Sequence, residues 1–238
     1  MKTILHKASD RGFANHGWLQ ANHSFSFAQF YNPEKIQFGA LRVLNDDVIA
    51  PSMGFSTHPH DNMEIITIPL KGTLKHKDSM GNKWETIQSG EVQIMSAGSG
   101  LMHSEMNAKT DEYLSLFQIW IIPNKTNVTP RYDQRFFNAE DRQGKLQTIV
   151  SSIDNQDEGL KIHQDAKLSR IDLAQGQDYT YKAISKSHGT YIMTISGDVV
   201  INDNDLSSRD ALGVSDTDSF TINTKSSAQL LFIEVPMA

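Results

Sequence analysis

From residue 38 onward the chain repeats one short pattern, a run of apolar or β-branched positions followed by residues that favour turns. The first such runs are 38–44 (FGALRVL), 64–70 (EIITIPL), 91–95 (EVQIM) and 114–122 (LSLFQIWII). Between them stand Asn45-Asp46-Asp47, Lys71-Gly72, Ser79-Met80-Gly81-Asn82 and Ser89-Gly90. Runs this short, closed by turn residues, predict strands rather than helices. Their regular spacing predicts a β-sandwich or barrel. Residues 123–145 lose both apolar periods and carry Pro123 and Pro130, so the chain there reads as a crossing between two units, 1–130 and 131–238. The strand pattern then resumes at 146–153, 179–183, 190–195, 198–202, 219–223 and 229–235. Gly72 and Gly197 each end one strand and open a turn, as a diverged duplication would place them. A short helix is expected at 205–211, against its Asp and Ser content.

With 238 residues, 38% of them apolar and 21% charged, the chain can bury a core in one large or two small domains. Its net charge of −6 has the wrong sign for a protein that neutralises nucleic-acid phosphates. The absence of cysteine excludes disulfides, thiolate metal sites and thiol nucleophiles together. Neither an apolar signal-peptide core nor a run of about 18 apolar residues is present. A cytoplasmic protein with no membrane or direct nucleic-acid contact is the expectation.

Any metal must therefore be held by nitrogen and oxygen. Of nine histidines, two stand as His58-Pro59-His60. On an extended strand i and i+2 share a face, and Pro59 favours extended geometry, so both imidazoles point into one space. His103-Ser104-Glu105 repeats the spacing with an imidazole and a carboxylate, directly after the turn Ala97-Gly98-Ser99-Gly100. A lone His-x-His also occurs on solvated edges. Two such pairs on facing strands would instead supply four ligands for a divalent metal, with Fe, Mn, Ni, Co, Cu and Zn all admissible by ligand type. His163-Gln164-Asp165 lacks a partner pair, and His16, His23 and His76 read as backbone or surface hydrogen-bonding groups. No nucleophile elbow, phosphate-binding loop or dinucleotide fingerprint is present.

Gly54, His58-Pro59-His60, Glu64 and Gly72, followed by Gly90, Gly98, His103 and Asn107, resemble the two cupin motifs with altered spacings. The segments Gly54-Phe55-Ser56-Thr57-His58-Pro59-His60 and Ala97-Gly98-Ser99-Gly100-Leu101-Met102-His103-Ser104-Glu105 are similar to the pirin branch. So are His16-Gly17-Trp18-Leu19 and His23-Ser24-Phe25-Ser26-Phe27. The resemblance implies an all-β bicupin of two jelly-roll-like barrels. The N-terminal barrel would hold one metal, usually Fe(II), through His58, His60, His103 and Glu105; the C-terminal barrel would hold none. Glu64 would be structural or would support a ligand.

The activity that the resemblance implies is that of a quercetin 2,3-dioxygenase, an oxidoreductase that cleaves the flavonol ring of quercetin-like phenolics with O2 and releases CO. Glu105 is then also the candidate catalytic base for the flavonol 3-hydroxyl. Phe25, Phe27, Phe55, Met63, Met95, Met102, Phe117 and Trp120 are candidates for lining the pocket, although for each of them barrel core is the favoured reading. The alternative is a metal-binding regulatory or redox-sensing pirin acting through a protein partner.

Overall fold

The computed structural model describes residues 1–237. The chain is built from strands joined by turns, with two 3₁₀ turns at Ala8–Asp10 and Ala139–Arg142. Among the described residues no helix is long and apolar enough to cross a membrane.

Two barrels are each made of a seven-stranded and a four-stranded sheet. In the first barrel the large sheet runs Arg131–Phe136, Glu91–Ser96, Glu64–Lys71, Leu114–Ile121, Leu41–Ile49, Leu19–His23, Gly12–Asn15. In the second it runs Lys2–His6, Ala211–Ser215, His188–Ser196, Ala228–Pro236, Lys167–Leu173, Gln147–Ser152, Leu160–Ile162. The small sheets follow the same parallel. Gly54–His60, Leu101–Asn107, Thr73–Asp78 and Glu85–Gln88 correspond to Asp178–Lys182, Ser219–Thr224, Val199–Ile201 and Asn204–Leu206. Gly72 and Gly197 occupy equivalent turns. Both have positive φ, and a side chain on either would approach the backbone at the start of the strand paired alongside, at Leu114 or Ala228.

The expected division between residues 130 and 131 is crossed in both directions. Arg131–Phe136 pairs with Glu91–Ser96 and so extends the first barrel's sheet, while Lys2–His6 pairs with Ala211–Ser215 and extends the second's. Each is an edge strand whose membership is set by its pairing partner, which the local pattern does not encode. The helix expected at 205–211 is absent. Asn204–Leu206 and Ala211–Ser215 are strands, and Asp210 accepts from the backbone N–H groups of Ala8 and Ser207, a turn role that Asp fills better than a helical one.

The large sheets pack on each other through their outer faces. On Ala228–Pro236, Leu231, Ile233 and Val235 enter the core shared by both barrels, whereas Leu230 and Phe232 fill the second barrel. Phe117, Ile119 and Ile121 meet that shared core from the first barrel. Strands buried on both faces are rich in apolar residues on both, which is why 114–122 and 229–235 read as nearly continuous runs, broken only by residues such as Gln118 and Glu234.

Candidate metal centre

His58 and His60 lie on Gly54–His60, and His103 and Glu105 on its antiparallel neighbour Leu101–Asn107, with His103 directly opposite His58. The register slips between His103 and Glu105, so that Glu105 faces Phe55 with one extra residue on the Gly54–His60 strand. This bulge carries Phe55 onto the face that already bears His58 and His60. The three imidazoles offer nitrogens within 4.8 Å of one another.

Hydrogen bonds fix the way two of these rings face. His58 Nδ1 lies 2.8 Å from the Ser56 carbonyl oxygen, which can only accept, so Nδ1 carries the proton and Nε2 a lone pair. His103 Nδ1 lies 3.2 Å from His76 Nε2, and His103 Nε2 lies 2.9 Å from His58 Nε2. With His103 Nδ1–H donating to His76, two lone pairs meet at one point, an arrangement that repels itself unless a cation lies between them. Burial, followed by the charge of His58, lowers His60 to about 4. His103 is driven far below the imidazole range by burial and then by its three histidine neighbours. Neutral rings with free lone pairs are the form that ligates a metal.

Glu105 lines the same cavity and is 3% exposed. Gln118 Nε2 donates to its two oxygens at 3.4 and 3.2 Å, and burial raises its pKa to about 7 despite that bond. The cavity holds about 480 Å³, within the usual range for small-molecule sites, and Trp18, Phe27, Phe55 and Trp120 form its aromatic walls. Trp120 stands edge-on to His60 at 4.9 Å and to Phe27 at 5.4 Å. Its indole N–H has no partner among the described residues, and neither has Asp47 Oδ1, another buried atom of a cavity-lining residue. Three imidazoles converging on one cavity fit a single divalent cation, while the Glu105 carboxylate lines that cavity without joining their cluster.

A pirin family model matches residues 6–121, and a quercetinase C-terminal cupin domain model matches residues 149–235. The chain is 46% identical over 232 residues to the quercetin 2,3-dioxygenase of Escherichia coli K12, with 98% of each chain covered. The chain belongs to the pirin family. It is also 41% identical over 223 residues to a pirin-like protein of Caulobacter vibrioides, covering 94% of this chain and 95% of that one. The crystal structure of the bacterial pirin YhhW from E. coli in complex with nickel(II) superposes over the whole of both chains with a TM-score of 0.93 at 41% identity. The two-barrel cupin fold expected from the motifs is the fold of this pirin.

In the second barrel of this pirin, the strands equivalent to those bearing the histidines present Tyr181, Phe220 and Ile222 inward. Tyr181 stacks on Phe220 and Phe232 at 5.1 and 4.7 Å, so packed rings fill the interior there. His163 and Asp165 lie at the junction between barrels, where the His163 carbonyl accepts from Asn124 N–H and Asp165 faces His188. Glu64 turns away from the cavity, because its neighbour Ile65 is the residue that faces inward. Its carboxylate accepts from Ser96 Oγ at 2.6 Å and meets the backbone of His163, so its role is structural.

Of the residues proposed for the pocket walls, Phe27, Phe55 and Trp120 line the cavity. Phe25, Met95 and Phe117 are core, Met63 packs against that core, and Met102 is exposed. Sequence reasoning missed Trp18, Asn45, Asp47 and Gln118, and it misplaced two histidines. His23 lines the cavity and bonds Asn45 Oδ1 at 2.9 Å, while His76 is fully buried behind His103. Period-two alternation would have placed His76 and Asp78 on one face, but which face turns inward was not in the local pattern.

Proposed function

We propose that this pirin is a metal-dependent dioxygenase that opens the flavonol ring of quercetin-like phenolics with O2 and releases CO. Its divalent metal, Fe(II) in this reading, is held by His58, His60, His103 and Glu105. The observation that carries the reading is the convergence of the His58, His60 and His103 ring nitrogens, with His58 Nε2 and His103 Nε2 2.9 Å apart, beside a cavity with flat aromatic walls. The relatives named quercetin 2,3-dioxygenase and the nickel(II) complex of a pirin support it.

The metal supplies Lewis acidity and a redox route between the phenolic and O2. Trp18, Phe27, Phe55 and Trp120 sandwich a planar ring system and exclude water. Glu105, raised to about 7 by burial, takes the proton of the flavonol 3-hydroxyl, and Gln118 holds its carboxylate in place.

The test is anaerobic reconstitution with Fe(II), followed by metal analysis and by measurement of O2 uptake and CO release with quercetin, for the wild type and Glu105→Ala. One metal per chain, with uptake and CO that vanish in the variant, is the expected result. One metal per chain without uptake in the wild type overturns the oxygenase reading and leaves a metal-dependent sensor.

A further inference from the structure

At one edge of the contact between the barrels lies a cleft of about 690 Å³, apart from the metal cavity. Four cations line it: Lys71 from the first barrel, Arg142 from the connection, and Arg170 and Arg209 from the second barrel. Ser115 and Ser196 add hydroxyls, and no carboxylate is among its lining residues. In a chain of net charge −6 this is a local reversal of sign.

Three of the four cations already meet carboxylates, two of them behind the wall and one at the surface. Arg142 Nε meets Asp172 Oδ2 at 3.0 Å, Arg209 Nε meets Asp46 Oδ2 at 3.0 Å, and Lys71 Nζ stands 3.5 Å from Glu112. Arg170 is different. It is 8% exposed, and its Nε is buried without a hydrogen-bond partner among the described residues. Asp172 shares the face of the same strand and its charge acts on Arg170, but its Oδ2 accepts from Arg142, Gln143 and Gln229, and its Oδ1 is buried without a partner as well, so one carboxylate faces two guanidiniums. Burial, then the charge of Arg142, lowers the Arg170 pKa to about 10, against the opposing pull of Asp172. A buried guanidinium that shares one carboxylate with a second arginine and leaves its Nε–H unpaired is costly, and leaving it so is ordinarily avoided. Its donors suit an oxyanion better than any other class of ligand, since the planar fork matches the spacing of oxygens on carboxylate or phosphate.

We infer that the interdomain cleft is a binding site for a small oxyanion, a phosphate or a carboxylate, held by Arg170 with help from the cations and hydroxyls around it. The bound anion spans residues of both barrels and ties them together. The inference is independent of the dioxygenase reading, since none of these residues lines the metal cavity.

The test is calorimetric melting of the metal-loaded, full-length protein titrated with inorganic phosphate or with malonate, against chloride at equal ionic strength. It is run on the wild type, Arg170→Met and His103→Ala. Saturable stabilisation of the wild type and of His103→Ala, with affinity roughly tenfold or more weaker in Arg170→Met, is expected. Stabilisation by phosphate alone assigns a phosphate ligand, and stabilisation by malonate alone assigns a carboxylate. Stabilisation that survives in Arg170→Met but disappears in His103→Ala places the anion on the metal and overturns the inference, as does a wild type that answers to neither anion. Should Arg170→Met fail to fold, a phosphate-soaked wild-type crystal decides: the anion must lie within hydrogen-bond distance of the Arg170 guanidinium, and one found only elsewhere overturns the assignment.

Discussion

Replacing His76 by alanine should weaken metal binding without touching any of the four proposed ligands. His76 is 1% exposed, its ring is stacked on Tyr132 at 5.0 Å, and its Nε2 stands 3.2 Å from His103 Nδ1. Burial lowers its pKa to about 4, so at neutral pH it is uncharged, and Nε2 serves as acceptor while Nδ1 points toward Asp78 at 4.0 Å. Alanine there leaves the His103 Nδ1–H buried without an acceptor, at a cost of about 1–3 kcal/mol. It also frees the His103 ring to turn its lone pair away from His58. Loss of a group that orients a metal-bound histidine typically weakens affinity roughly 10–100-fold, about 1.4–2.8 kcal/mol, in agreement with the hydrogen-bond figure. The assay is competition for Fe(II) or Ni(II) against a chromophoric chelator, with the melting temperature of the metal-free protein measured alongside. His76→Gln keeps an acceptor oxygen and should recover much of the affinity, while both variants lose some packing stability. Wild-type affinity in His76→Ala, or equal losses of affinity in both variants, would refute the claim that His76 acts through the His103 tautomer.

The metal-free protein should also show a pH dependence that comes from Asp47, whose pKa is raised to about 8 by burial, then by the charges of Asp46 and Glu105. Between the ordinary aspartate value of 3.8 and about 8 the folded chain keeps a proton that the unfolded chain has released. Stability from this group is therefore full below that window and lost as pH rises through it. Melting curves of Asp47→Asn should be flatter than wild type across the window, and parallel profiles would contradict the assignment. Tyr181→Phe removes the donor 2.6 Å from the buried Glu234 carboxylate and should cost about 1–3 kcal/mol in denaturant unfolding, with metal content unchanged. Gly98→Ala puts a side chain at positive φ and into the carbonyl oxygen of Val128. A loss of about 1–3 kcal/mol is expected from calorimetric melting, and an unchanged melting temperature would show that the turn relaxes freely.

The sequence alone determined the all-β class and picked out the three histidines that cluster in the candidate metal centre. Alternation along a strand is a local rule, and it was enough to put His58 with His60 and His103 with Glu105. Turn residues such as Gly72 and Gly98 marked strand ends for the same reason, since positive φ is a property of single residues. Pairing, by contrast, is not local. The exchange of edge strands, with Lys2–His6 joining the second barrel and Arg131–Phe136 the first, depends on which distant strand leaves an edge open. Only the tertiary structure brought Trp18, Asn45, Asp47 and Gln118 around the ligands, because they come from strands far apart in the chain that meet only when the barrel closes. The same closure turned His76 from an apparent surface residue into the buried partner of His103. It also left Arg170 Nε without a hydrogen-bond partner, because whether a donor is paired is decided by the groups that folding packs around it.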